Sequence, residues 1–180
     1  MESKIFRNKK IKIRKLTRSD LGKAKEFQDF INSLIEEEPQ ITINKKFSLK
    51  EEKRWLKEEL KKMKKKKAVC LVARDNKKVV GIANINLGIG RQNHIAIFGI
   101  TIRKGYRGMG LGSYLMEKIL KLAKEELKPR PKIIRVSDLH INKVAISLYK
   151  KFGFKKIARI PQQIQYNGRL LDEIIMIRYL

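Results

Sequence analysis

One cysteine and two histidines occur among 180 residues, and that scarcity removes several classes of chemistry. Cys70 alone cannot close a disulfide, and His94 and His140 offer no metal-ligand spacing, so neither disulfide stapling nor a metal site is expected. Cys70 stands within Ala68-Val69-Cys70-Leu71-Val72-Ala73, an apolar run in which a thiol is a small core residue far more often than a nucleophile. Long apolar runs are missing as well. The longest, around His94 to Ile102, is too short to cross a bilayer. No apolar stretch of signal-peptide length follows Met1-Glu2-Ser3-Lys4, so the expectation is a cytoplasmic protein without membrane contact.

Acidic residues are few beside the basic ones: 18 Asp and Glu against 44 Lys and Arg, a formal net charge of +26. A field of that sign attracts polyanions and speeds their encounter, which admits RNA or a ribosomal surface as a partner. Part of the charge has a plainer explanation. Lys61-Lys62 and Lys64 to Lys67 close an amphipathic helix, where lysines oppose the negative end of the helix dipole.

The chain length suits one domain spanning 1–180, and the patterning orders its elements. Ile11 to Leu16 alternates apolar and basic residues as a half-exposed strand does, and Thr17, Ser19 and Asp20 then supply N-cap chemistry. A first helix carries Leu21, Ala24, Phe27, Ile31 and Leu34 at helical spacing and ends before Pro39. After an irregular segment from Glu36 to Phe47, Ser48 with Glu51 forms a capping box for a second helix facing inward through Trp55, Leu56, Leu60 and Met63. Three strands follow as an antiparallel meander: Ala68 to Arg74, Val79 to Leu87 and His94 to Ile102. Gly110 to Leu127 is a helix ended by Pro129 and Pro131, Ile133 to Asp138 a buried strand, and Asn142 to Phe152 another helix. Two last strands turn at Asn167-Gly168, a strong hairpin signal.

Between the third meander strand and its helix stands Ile102-Arg103-Lys104-Gly105-Tyr106-Arg107-Gly108-Met109-Gly110-Leu111-Gly112-Ser113. Glycines at 108, 110 and 112 let the main chain approach a ligand and turn successive N–H groups outward. The helix N-terminus adds positive potential, and together these make an anion nest that fits a diphosphate. Arg107 lies at its rim as a further phosphate donor. A dinucleotide site needs such a turn after the first strand of a parallel βαβ unit, and here an antiparallel meander precedes it. No Gly-Lys-Ser/Thr follows, which excludes a Walker A loop.

Arg107-x-x-Gly110-x-Gly112 resembles the Arg/Gln-x-x-Gly-x-Gly/Ala signature of the GNAT acetyltransferases. The stretch from Asn142 through Ala145, Ile146, Leu148 and Tyr149 to Gly153-Phe154 resembles that superfamily's second signature. The likeness is close over 79–154, and the element order of the whole chain agrees with it. It implies an α/β (α+β) domain: a mixed, mostly antiparallel sheet of six to seven strands, helices on both faces, and a fourth and fifth strand that splay apart. Acetyl-CoA, itself a polyanion, is the implied cosubstrate, bound by the 79–154 core with no metal, while the first helices, 19–65, form the acceptor side. The implied coenzyme contacts are the edge Ile100-Thr101-Ile102, the turn Arg107, Gly108, Met109, Gly110, Leu111, Gly112 and Ser113, and Asn142. Tyr149 is the implied general acid toward the departing thiolate.

Residue spacing alone makes Asn142 an N-cap and Tyr149 a core residue, seven apart and nearly superposed on one helix face. The implied reaction is direct attack by an amine on the thioester, the acceptor being a protein N-terminus, a polyamine or an amino-acid-like molecule. A general base is expected for an amine of high pKa. Two positions where relatives carry a Glu hold Ile97 and Ser137 here. The remaining candidates are Glu36 to Glu38, Asp138, Glu173 and His140, each with a structural reading beside the catalytic one. A non-catalytic acetyl-CoA sensor or an RNA- or ribosome-binding protein is the alternative, and assembly is left open, a homodimer included.

Overall fold

A computed structural model describes residues 2–37 and 45–180. Eight strands form one sheet: β1 (Glu2–Phe6), β2 (Lys9–Lys15), β3 (Ala68–Asp75), β4 (Lys78–Leu87), β5 (Ile95–Ile102), β6 (Ile133–Leu139), β7 (Lys155–Tyr166) and β8 (Arg169–Tyr179). Four helices accompany them: α1 (Ala24–Glu36), α2 (Leu49–Lys64), α3 (Leu111–Glu126) and α4 (Lys143–Lys151). The strand order is β1-β2-β3-β4-β5-β6-β8-β7, antiparallel throughout except between β5 and β6. The strand beyond the six or seven expected is β1, an exposed edge with only Phe6 buried and therefore no period-2 signal in its residues.

Local chemistry explains the boundaries. Ser48 Oγ accepts from the Glu51 N–H at 3.2 Å while Glu51 receives the Ser48 N–H at 2.7 Å, so the capping box starts α2. Thr17 with Asp20 caps a 3₁₀ turn over Arg18–Lys23 that leads into α1. The β7–β8 turn holds Asn167 at φ 47° and Gly168 at φ 73°, a left-handed pair that matches the twist of the strands it joins.

Helices cover both faces of the sheet, which is why every residue of β3 from Ala68 to Arg74 is buried. On one face Phe27, Phe30 and Leu34 of α1 and Leu56 of α2 pack with Cys70, Val72 and Val79. The other face takes Leu111, Leu115, Met116 and Ile119 of α3 with Ile11, Ile13, Leu71, Ala83, Ile85 and Ile134. A Cβ at Gly81 would stand 3.3 Å from Leu115 Cδ1, so the glycine lets α3 lie close against β4. Asp20, with no exposed surface, is held by Arg14 through bonds of 2.7 and 2.5 Å and by the Thr17 N–H at 2.9 Å. Cys70 is buried in the core, where burial pushes its thiol pKa well up and removes it from nucleophilic use.

Leu115→Ala is expected to cost about 2–5 kcal/mol of stability, because the site is fully enclosed and cannot collapse around the lost atoms. Urea denaturation followed by circular dichroism checks this.

Candidate active site

The parallel pairing of β5 with β6 covers only Ile95↔Ile133, Ala96↔Ile134 and Ile97↔Arg135. Beyond Ile97 the strands part. β5 stays paired with β4 as far as Ile102↔Gly81, and β6 stays paired with β8 as far as Leu139↔Glu173. Ile95 O accepts from Gly88 N–H and Arg103 N–H donates to Val80 O, so odd-numbered residues of β5 aim their main-chain groups at β4. Alternation then aims those of Phe98, Ile100 and Ile102 into the gap. Thr101, of the expected edge, faces β4 instead. Phe98 meets the Tyr149 ring at 6.1 Å and the Phe154 ring at 6.3 Å, an aromatic cluster at the level where the strands separate.

At the end of β5 the chain turns through Gly108 at φ 69° and Gly110 at φ 90°, and Gly110 is the N-cap of α3. A Cβ added at either would meet nothing within 4 Å, so these left-handed glycines serve backbone geometry and do not make room for a close neighbour. Gly112 differs: a Cβ there would lie 3.3 Å from Ile102 Cδ1 and 3.5 Å from Leu148 Cδ2, which brings α3, β5 and α4 together at the gap. Met109 packs part-buried against the core and Leu111 lies fully inside it, so these two supply main chain to the nest. Ser113 is half-buried in the first turn.

Arg107 takes a different posture from the expected phosphate donor. Its Nε donates to Ile102 O at 2.7 Å and its Nη2 pairs with Glu37 Oε2 at 2.7 Å, while Glu37 Oε1 receives the Lys104 N–H at 3.2 Å. Two cations that sequence reasoning missed also reach this turn from the β1–β2 hairpin. Arg7 Nη2 donates to Gly108 O at 3.1 Å and Lys9 Nζ to Gly105 O at 3.3 Å. Their signal is tertiary, since about a hundred residues separate each pair.

Across the gap from β5, at the end of β6, Asp138 receives Asn142 Nδ2 at 2.9 Å on one oxygen and the Tyr149 hydroxyl at 3.0 Å on the other. Asn142 also caps α4, its Oδ1 accepting from the Ala145 N–H at 3.2 Å. Burial pushes the Asp138 pKa up against the pull of these donors, and burial beside that carboxyl pushes the Tyr149 pKa up as well. The phenol therefore keeps its proton and acts as a donor. The other base candidates have partners elsewhere. Glu36 pairs with Lys46, Glu37 with Arg107, and His140 Nδ1 accepts from the Asp172 N–H. Glu38 lies outside the described residues. Glu173 is half-buried in β8, opposite Leu139. Ile97, where relatives carry a Glu, is 42% exposed.

On the α1–α2 face of β5 lies a cavity of about 190 Å³ walled by Phe30, Ile31, Phe47, Trp55 and Ile82, with Glu52, Asn84 and residues Gly99, Ile100 and Thr101. Sequence reasoning placed Glu51 in a capping box and passed over its neighbour. Glu52 is 5% exposed, and burial alone raises its pKa to about 7. Glu59, also buried, accepts Asn84 Nδ2 at 3.3 Å and Asn86 Nδ2 at 3.1 Å and so fixes Asn84 beside Gly99. Among the described residues no three of His, Cys, Asp and Glu gather as metal ligands, and no helix is long and apolar enough to cross a membrane.

Comparison with known proteins meets this geometry from outside. A family profile described as the acetyltransferase (GNAT) family matches residues 28–154. L-amino acid N-acetyltransferase AaaT of Escherichia coli K12 is 30% identical over 88 residues, which are 49% of this chain and 53% of that protein. The chain thus matches about half the length of that relative. Among solved structures, a GNAT-family acetyltransferase of Streptococcus pneumoniae superposes with TM-score 0.82 at 24% identity, covering 94% of this chain and 99% of that one. The ribosomal-protein-alanine N-acetyltransferase of Brucella melitensis gives TM-score 0.78 at 23% identity, with coverage of 94% and 99%. The yncA structure of Salmonella typhimurium, with its cofactor acetyl-CoA, gives 0.79 at 19%, covering 94% of each chain.

The buried carboxyl of Glu52 makes stability depend on pH. Its folded pKa of about 7 lies above the ordinary value of 4.5, so its contribution favours the fold fully below pH 4.5 and is lost as pH rises toward 7. Glu52→Gln, neutral throughout, is expected to melt several degrees above the parent at about pH 8.5 and within a degree or so of it at about pH 4.5. Scanning calorimetry at the two pH values checks this.

Proposed function

The chain belongs to the acetyltransferase (GNAT) family, and from that premise we propose that it transfers acetyl from acetyl-CoA to an amine by direct attack within a ternary complex. The observation that carries the reading is the parting of β5 from β6 beside a glycine-rich helix start. The free edge at Phe98 and Ile100, next to the Ile102 carbonyl that Arg107 occupies, suits an arm that carries amides, which adds to a strand edge as a further strand would. The nest from Arg107 to Ser113 suits the diphosphate, with Arg7 and Lys9 adding positive potential nearby. The left-handed turn at Gly108 and Gly110 suits a ligand that closes on the main chain. When bound, the coenzyme supplies an activated acetyl group.

The protein's own part is placement and protons. Tyr149, buried and hydrogen-bonded to Asp138, offers the proton that a departing thiolate takes up. Asp138 orients the phenol and Asn142 together by accepting from both. As an amine bonds to the acetyl carbon and the carbon–sulfur bond breaks, a proton leaves nitrogen and one arrives on sulfur; Tyr149 gives the second and recovers the first. The acceptor enters from the α1–α2 side, where the cavity opens against β5. A protein N-terminus, a polyamine and an amino-acid-like amine all meet the description so far. The strong positive charge supports meeting an acceptor on a ribosomal or nucleic-acid surface.

Tyr149→Phe is expected to lower kcat about 100-fold or more while leaving the Kd for acetyl-CoA within about threefold. Thiol release measures the first and titration calorimetry the second. A variant that turned over normally with every acceptor would remove Tyr149 from the mechanism.

A further inference from the structure

Four acidic or basic side chains are buried among the described residues, and three have partners. Asp20 has Arg14 and Thr17, Glu59 has Asn84 and Asn86, and Arg74 has Glu26 and the Lys77 carbonyl. Glu52 makes no hydrogen bond or ion pair with another side chain among the described residues, and burial raises the pKa of its carboxyl. A buried ionised carboxylate without a partner is costly, so native proteins pair such groups or use them to receive a cation. Glu52 lines a cavity together with Gly99, Ile100 and Thr101 of β5, the strand that borders the gap.

The rest of the lining narrows the cation. Phe30, Ile31, Phe47, Trp55 and Ile82 form apolar walls, and the volume of about 190 Å³ is below the ~300–1,000 Å³ of sites for drug-sized ligands. It takes one compact body. Among the described residues no lysine or arginine lines the cavity, so a carboxylate on the carbon next to the amine would sit near Glu52 with no counter-charge from them. A polyamine would bring a second ammonium, and the other buried carboxylates among the described residues, Glu59 and Asp20, are already engaged.

We propose that Glu52 anchors the acceptor's ammonium group and accepts its proton, and that the acceptor is a monoamine with a compact apolar body and no carboxylate beside the nitrogen. That description fits a peptide N-terminus with an apolar first residue, and equally a free apolar amine. The proposal rests on the acetyltransferase reading above. Glu52 carboxylate takes one proton from the ammonium, and the neutral nitrogen bonds to the acetyl carbon. Its second proton balances the one delivered to sulfur as the carbon–sulfur bond breaks. The products are the amide, the free thiol and protonated Glu52, which returns its proton to solvent. Burial holds the Glu52 pKa near 7, within the range where a general base is effective.

The test compares L-leucine, L-leucinamide, a tripeptide beginning with leucine, isoamylamine and spermidine as acceptors for the full chain with acetyl-CoA. Calorimetric binding of each amine to the protein saturated with CoA is measured alongside. Leucinamide, the tripeptide and isoamylamine are expected to exceed leucine and spermidine at least tenfold in kcat/KM. The tripeptide and isoamylamine arms separate a peptide source from a small amine. Glu52→Gln is expected to weaken leucinamide binding at least tenfold and to remove the limb of the pH–rate profile near 7, with acetyl-CoA affinity within twofold. Glu52→Asp should recover part of both. Leucine or spermidine matching leucinamide would overturn the acceptor class, and unchanged amine binding in Glu52→Gln would overturn the anchor. Failure of the parent to bind acetyl-CoA would instead sink the underlying acetyltransferase reading.

Discussion

Everything functional in this molecule depends on three residue pairs that stop. β5 and β6 pair from Ile95 to Ile97 and then separate, each still held by its other neighbour. A strand with one edge paired and the other free is rigid and unsatisfied at once, and polar main-chain groups at a buried edge require a partner. The separation also sets Gly110 at the head of α3 and Asn142 at the head of α4 on either side of one opening. Gly112, where a Cβ would lie 3.3 Å from Ile102 and 3.5 Å from Leu148, lets α3, β5 and α4 lie close together there.

The two faces of the sheet have divided the chemistry. On the α3–α4 face, aromatic packing of Phe98, Tyr149 and Phe154 surrounds one carboxyl, Asp138, whose donors are all spoken for. The α1–α2 face carries the buried carboxyls Asp20, Glu52 and Glu59. Two of these hold the scaffold: Asp20 ties the start of α1 to β2, and Glu59 ties α2 to β4. A buried charge that neither ties elements together nor has a partner is energetically unfavourable unless something arrives to meet it. That contrast within one face gives Glu52 its meaning. The Arg107–Glu37 pair links the same faces, joining the end of α1 to the glycine turn of the opposite side.

Much of the architecture was legible residue by residue. The capping box of Ser48 and Glu51, the Asn167-Gly168 turn and the helical spacing of Phe27 and Leu34 are local signals, and the elements stand where those signals place them. β1 was silent because an edge strand exposed on nearly all its residues has no alternation to read. The posture of Arg107 was unreadable for another reason: a guanidinium goes to the strongest acceptors in reach, and Glu37 is seventy positions away in sequence.

By itself the sequence determined the order of helices and strands from β2 onward, the glycines before α3 and the seven-residue spacing of Asn142 and Tyr149, because each follows from torsional preference and periodicity over a few residues. Only the tertiary structure decided which strands part, that Asp138 gathers Asn142 and Tyr149, and that Glu52 faces a cavity while Glu51 caps a helix. Those outcomes depend on burial and on contacts between distant segments. Neither is a property of any short stretch of chain.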